Sequence, residues 1–192
     1  MSERVVEVPW AVSRAVPPTL DVGHAESSYL CDLRGPVDGI DPRPAALPCL
    51  RRAHRGDIRS FEFGERYQTV LAISTIEHVG LEYARYGTVR DDPECGDRRA
   101  LEGCVRACES GGRVLVSVPF GRPADYGWFR QYDRERLLKL TEGFDVAYQV
   151  HVAPGWDVAE PSEAEMLLYD EDGGSARAVA LMTIQKGGER CD

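Results

Sequence analysis

Two segments are apolar almost without a break, "QTVLAIST" at 68–75 and "RVLVSVPF" at 113–120. Runs of that length, rich in Val, Ile and Leu, predict strands covered on both faces. Between them the spacing changes. In "GDRRALEGCVRACESGG" the apolar positions are 100, 101, 104, 105 and 108, a helical period that ends at a glycine pair suited to a C-terminal cap. A helix is predicted from 96 to those glycines. A second is predicted in "DRERLLKLTEGF", opened by Asp133 as N-cap and closed by Gly143. "FDVAYQVHVA" and "ARAVALMTIQ" predict two late strands. No convincing helix lies between them, so they are expected to pair as an antiparallel hairpin around a long loop, 153–175, with at most one helical turn.

The first third of the chain is patterned less clearly. "TLDVG" at 19–23 reads as a strand, and "ESSYLCDL" sets Tyr29, Leu30 and Leu33 on one helical face before Gly35-Pro36 stops it. "VDGIDP" predicts a second short strand. A helix around 43–53 is weakened by Pro44 and Pro48. "HRGDIRSFEF" predicts a short third strand or edge, and residues 1–18 form an N-terminal segment with no assigned element. Alternation of strand and helix followed by a hairpin predicts an α/β fold in one domain spanning 1–192: an open, mostly parallel sheet flanked by helices, with a C-terminal antiparallel hairpin. On such sheets ligands bind beyond the carboxyl ends of the strands, where the strand order reverses.

Composition narrows the partners. The 192 residues suit one core, and 43% hydrophobic with 29% charged residues is an ordinary globular balance. A formal charge of −9 argues against non-specific nucleic-acid binding. No apolar run nears the roughly 20 residues of a membrane span, and no signal-peptide core is visible, so a cytoplasmic protein with free thiols is expected. Six cysteines, at 31, 49, 95, 104, 108 and 191, form no CxxC pair. Cys104 and Cys108 share a helical face with Leu101 and Val105 and are expected as small core residues rather than a redox or metal pair. The histidines at 24, 54, 78 and 151 have no metal-ligand spacing, so no metal is expected.

Polar residues recur at the predicted strand ends. Gly23 after "DV" lets main chain approach a ligand. Asp41 in "GIDP" stands about 20 positions after Asp21, where a carboxylate can accept from both ribose hydroxyls. "GDI" at 56–58 offers Asp57 to an exocyclic amine and the next backbone N–H to a ring nitrogen. "STIEH" at 74–78 closes the fourth strand.

With "LDVGHAES", "VDGIDPRP", "GDIRSFEF", "YQTVLAISTIEHVGL" and "SGGRVLVSVPFG" in this order, residues 19–150 resemble the class I S-adenosylmethionine (SAM)-dependent methyltransferases. "STIEHVGL" and the Trp128–Asp133 segment are similar to a bacterial subgroup of small methyltransferase-like proteins. The resemblance implies a Rossmann-like fold with SAM as cofactor. It implies that Asp21, Gly23, His24 and Ser27 with nearby backbone hold the methionine portion, that Asp41 binds the ribose, and that Asp57 and Ile58 read the adenine. Ser74 and Ile76 would line the cofactor floor, and His78 would sit near the sulfonium as the catalytic base, ahead of Glu77 and Tyr126. The expected partner is a small-molecule acceptor contacted by Tyr83, Tyr126, Trp128 and Arg130, with a homodimer as a way to close a site that has little lid of its own. The family's turn often carries three glycines, whereas "GHAES" keeps only Gly23; that loss also argues against a dinucleotide, whose pyrophosphate needs the second glycine. A non-catalytic SAM- or S-adenosylhomocysteine (SAH)-binding or scaffold protein of the same fold is the alternative.

Overall fold

The computed structural model describes residues 2–43, 47–82, 88–170 and 174–187. Its strands are β1 (Thr19–Val22), β2 (Val37–Asp41), β3 (Arg52–Arg55), β4 (Tyr67–Ile73), β5 (Cys108–Pro119), β6 (Ala124–Asp125), β7 (Arg130–Gln131), β8 (Asp145–Val152), β9 (Asp157–Ala159) and β10 (Ala178–Gln185). Its α-helices are α1 (Arg4–Arg14), α2 (Gly96–Ala107), α3 (Arg134–Thr141) and the one-turn α4 (Pro161–Ala164).

Eight strands form one sheet in the order β3-β2-β1-β4-β5-β10-β8-β9, and β6 pairs with β7 separately. β3, β2, β1, β4 and β5 run parallel. β10 lies between β5 and β8 and is antiparallel to both, so the expected late antiparallel pair is present and is inserted into the sheet. Strand order reverses between β1 and β4, and the parallel register brings Val22, Asp41 and Ile73 to one edge.

The two apolar runs are buried on both faces, as their composition requires. Val70 and Ala72 of β4 and Val114, Val116 and Val118 of β5 point into a core with Ala100, Leu101 and Cys104 of α2 and Leu137 and Leu140 of α3. Leu71, Ile73 and Leu115 point the other way, onto Trp10 and Ala11 of α1. Asp133 caps α3 by accepting from the Arg136 N–H at 2.9 Å, and Gly143 follows with φ 81°. Cys104 and Cys108 are buried in the core, and burial pushes their thiols up to about 12 and about 11. Among the described residues no group of His, Cys, Asp and Glu could hold a metal ion, and no helix is long and apolar enough to cross a membrane.

Several local expectations are corrected. Where a helix is expected over 26–33, the chain forms two short 3-10 turns, His24–Glu26 and Leu30–Asp32. The cause is side-chain competition: Asp21 accepts from the Ser27 hydroxyl at 2.7 Å and the Tyr29 hydroxyl at 2.6 Å, which fixes a tight path unlike a helix. Cys31 and Cys49 are joined in a disulfide with Cα atoms 5.2 Å apart, not free thiols, because the segments before and after β2 run side by side. Cys191 lies outside the described residues. Residues 47–53 make a turn and then enter β3, so the helix expected at 43–53 is absent from its described part; Pro44 is outside it. The third strand is Arg52–Arg55, earlier than expected, and α2 ends at Ala107, before the glycines. The N-terminal segment holds α1, eleven residues with Pro9 inside. Proline in a helix interior costs roughly 3 kcal/mol; the burial of Trp10 and Ala11 on the sheet offsets that.

Candidate functional site

At the carboxyl edge, where strand order reverses, lies a cavity of about 290 Å³. The end of β1 and the turn after it contribute Val22, Gly23, Glu26 and Ser27 to its wall, and the end of β2 with the residues after it contributes Ile40, Asp41 and Arg43. The turn after β3 adds Asp57, Ile58 and Arg59, the end of β4 adds Ser74, Thr75 and His78, and α1 adds Arg4. Four successive strand ends thus meet on one space.

Each wall has a local cause. Gly23 turns with φ 85°, and its N–H donates to Ile40 O at 2.8 Å. A Cβ there would lie 2.8 Å from the Thr75 side chain, so the turn both needs the left-handed conformation and has no room for a side chain. Asp41, 2% exposed, accepts from the N–H of Ala25 at 3.2 Å and of Arg43 at 2.8 Å, and it ties the glycine turn to β2. Ser74 has φ 46°, a conformation a side chain adopts at a cost. It is held there by its N–H on the Ser117 hydroxyl at 3.0 Å and by its own hydroxyl on Glu7 Oε1 at 2.7 Å.

The arginines were missed by sequence reasoning. Arg43 reaches Asp41 Oδ1 through Nε at 3.2 Å and Glu26 through Nη1 at 2.9 Å. Arg59 grips Asp57 through Nε at 3.0 and 2.9 Å and Asp91 through its two terminal nitrogens. The signal was present: Asp-Pro-Arg at 41–43 and Asp-Ile-Arg at 57–59 repeat the same Asp-x-Arg spacing. Arg4 had no comparable signal, since it comes to the cavity only because α1 packs on the sheet.

Other candidates take different places. Asp21 is fully buried and is not a wall residue; both oxygens are spent on Ser27 and Tyr29, so it positions the turn from behind. His24 is also buried away from the wall, its ring stacked into the space left by Gly39, where a Cβ would lie 2.6 Å from it. That contact explains how a large residue fits where the motif usually has a small one. Ile76 is core. Tyr126 and Trp128 belong to an aromatic cluster with Phe129 and Tyr169 that adjoins the cavity rather than walling it: Tyr126 stacks on Phe129 at 4.6 Å, and Trp128 on His78 at 5.2 Å. Arg130 is outside the cavity wall and is held as a strut. Its guanidinium, 9% exposed, donates to the carbonyls of Glu77, Val79 and Pro93 at 3.3, 2.9 and 2.8 Å. Tyr83 lies outside the described residues.

His78 stands in the wall with Nδ1 2.8 Å from the Trp128 carbonyl oxygen. A carbonyl can only accept, so Nδ1 carries the proton and Nε2 the lone pair. Burial pushes its conjugate acid down to about 4, so the ring is neutral at pH 7. Asp21 is shifted the other way: burial raises it from 3.8 to about 6 against the hydrogen bonds of Tyr29 and Ser27. A raised folded-state value means that its contribution is fully present below pH 3.8 and is lost as pH rises through about 6. Asp21→Asn is therefore expected to flatten the fall in Tm between about pH 4 and pH 7. Parallel melting curves for the two proteins would exclude Asp21 as the group responsible.

Comparison with known proteins addresses the fold. Neither a protein-family model nor a curated protein matches the sequence. Among solved structures, the N-methyltransferase NodS from Bradyrhizobium japonicum WM9 superposes with TM-score 0.62 at 16% identity, over 96% of this chain and 95% of that one. The glycopeptide N-methyltransferase MtfA, solved with SAH, gives 0.58 at 15%, over 96% and 90%. The 1,6-didemethyltoxoflavin-N1-methyltransferase of Burkholderia thailandensis, solved with its substrate and SAH, gives 0.56 at 14%, over 88% and 70%. The fold of this chain is that of the class I SAM-dependent methyltransferases.

Proposed function

We propose that the protein binds SAM at the carboxyl edge of the sheet and transfers its methyl group to a small-molecule acceptor. One observation carries the reading: the Gly23 turn, the Asp41 carboxylate and the Asp57-Ile58 turn, from three successive strands, line one cavity at the reversal of strand order. The donors and acceptors suit an adenosine. Asp41 would take the ribose hydroxyls, displacing part of the Arg43 contact; Asp57 and the Ile58 side chain would meet the adenine. Gly23 and Ser27 would face the methionine portion, and the Arg4 guanidinium, in the wall beside the end of β4, could meet its carboxylate. NodS and MtfA, with the same fold, have been solved with SAH bound.

SAM supplies an electrophilic methyl group on a sulfonium. The work left to the chain is to align an acceptor with it, and such positioning is worth roughly 7–11 kcal/mol. His78, in the cavity wall, is suited to orienting an acceptor's N–H or O–H group. A conjugate acid near 4 makes it a weak base, so it directs the acceptor rather than stripping its proton before attack. The stacked Trp128 and its aromatic neighbours flank the same end of the cavity and suit an acceptor with an apolar or ring face.

Calorimetry with SAM and SAH tests the cofactor reading, and both are expected to bind. A labelled-methyl screen over amines, phenols and sugars then separates the enzyme from a non-catalytic SAM sensor. Binding of neither ligand by the folded protein would sink both readings.

A further inference from the structure

Behind the wall made by Ser74 and His78 lies a second polar group. Glu7 of α1 and Glu77 of the turn after β4 are buried carboxyls, 0% and 1% exposed. Glu7 Oε1 accepts from the Ser74 hydroxyl at 2.7 Å, and its Oε2 is 3.6 Å from Arg4 Nη1. Glu77 Oε1 is 3.8 Å from His78 Nε2. The Oε2 atoms of both meet no hydrogen-bond donor among the described residues.

Among the described residues, the charged and titratable groups around Glu77 are Glu3, Arg4 and Glu7 from the α1 side, His78 beside it, and Arg130 and Tyr132 from the segment that includes β7. Arg130 spends its guanidinium on main-chain carbonyls, including that of Glu77 itself. Tyr132 donates to Asp97. Arg130's charge faces Asp97 at 3.8 Å, so among the described residues Arg4 is the cation set against the three acids, and it is paired to Glu7 and partly in solvent. Two buried carboxyls therefore share less than one full counter-charge. Burial raises both, Glu77 well above the usual carboxylate range, which favours its neutral form.

We infer that Glu77, backed by Glu7, senses the charge of the cofactor: it is neutral when no cation occupies the cavity and ionises when a sulfonium enters, so that the protein prefers SAM to SAH. The inference rests on the cavity being the SAM site. SAM and SAH share the amino acid and the adenosine and differ by one methyl group and one positive charge. That charge stabilises a nearby carboxylate and is stabilised by it. Binding SAM then releases a proton from Glu77 to solvent. In the transfer, the bond between sulfur and methyl breaks, sulfur keeps the electron pair, and the acceptor nitrogen or oxygen bonds the methyl carbon. The acceptor gives up one proton and Glu77 takes one up, so the charges balance. The neutral thioether has by then lost its counter-ion, which favours its release.

Calorimetric titration of the full chain with SAM and with SAH, at about pH 7 in buffers of different ionisation enthalpy, reads protons released per ligand. SAM is expected to release up to about one proton more than SAH. In Glu77→Gln the difference should vanish and the SAM:SAH affinity ratio should fall by about tenfold, the equivalent of one pKa unit. Equal proton release by the two ligands in the unaltered protein overturns the inference, with no variant needed. A difference that survives in Glu77→Gln also overturns it, because the proton then belongs to another group. Should Glu77→Gln fail to fold, Glu7→Gln, which removes the backing charge, is expected to shrink the difference, and an unchanged difference there counts against the pair. Binding of neither ligand would refute the cofactor reading itself, a separate outcome.

Discussion

Asp41→Ala is expected to weaken SAM by about 1–3 kcal/mol, roughly five- to 150-fold in Kd, with the fold retained. The carboxylate is almost fully buried at the end of β2, so the hydroxyls it would bond in the complex have no water to replace it. It also anchors the N–H groups of Ala25 and Arg43, so the substitution loosens the glycine turn as well as removing the ribose acceptor. Asp41→Asn separates the two effects. It keeps an acceptor oxygen for the backbone and loses the charge, and its Kd should fall between those of the wild type and Asp41→Ala. Arg43 supplies the internal control. Its Nε and Nη2 lie 3.2 and 3.3 Å from the Asp41 oxygens, where ribose hydroxyls would compete. If they do, Arg43→Ala binds SAM no more weakly than the wild type. An unchanged Kd in a folded Asp41→Ala protein would remove Asp41 from the cofactor site.

The strand ends were legible because two kinds of signal coincide there. A strand buried on both faces must be apolar throughout, so "QTVLAIST" and "RVLVSVPF" declare themselves, and a polar residue where the run stops marks the edge. Ser74 and His78 were found this way, Asp41 and Asp57 from the acids in "GIDP" and "GDI" at the shorter predicted strands, and all four line the cavity. What stayed hidden depends on contacts between distant residues. α1 contains Pro9 and the buried Glu7, both unfavourable locally, and exists because Trp10 and Ala11 pack on the sheet while Ser74 satisfies the carboxylate. Cys31 and Cys49 meet only because β2 sends the chain back past its own start; their separation of 18 carries no such message. His24 looked too large for its turn, and only the opposing Gly39 on the next strand makes room for it. Arg130 was expected to contact the acceptor because sequence cannot show three carbonyls converging on it.

That convergence makes Arg130→Ala the substitution with the largest expected effect on stability. The planar guanidinium closes the segment 77–79 onto Pro93 and lies 3.8 Å from Asp97, itself nearly buried. Truncation leaves three main-chain acceptors without their donor and a carboxylate without its cation. Breaking such a buried arrangement costs about 3–5 kcal/mol, and Tm is expected to drop by roughly 10 °C. Arg130→Lys should recover little of this, because an ammonium on a flexible stem cannot hold a planar fork aimed at separate carbonyls. The same loop carries His78, whose Nδ1 is fixed by the carbonyl of Trp128, two residues before Arg130, so SAM binding should weaken along with the fold. The alternative role has the opposite signature. If Arg130 contacted the acceptor, the variant would melt like the wild type and raise only the acceptor's KM. Melting curves alone therefore decide between strut and substrate contact: a Tm within about 2 °C of the wild type would contradict the structural role.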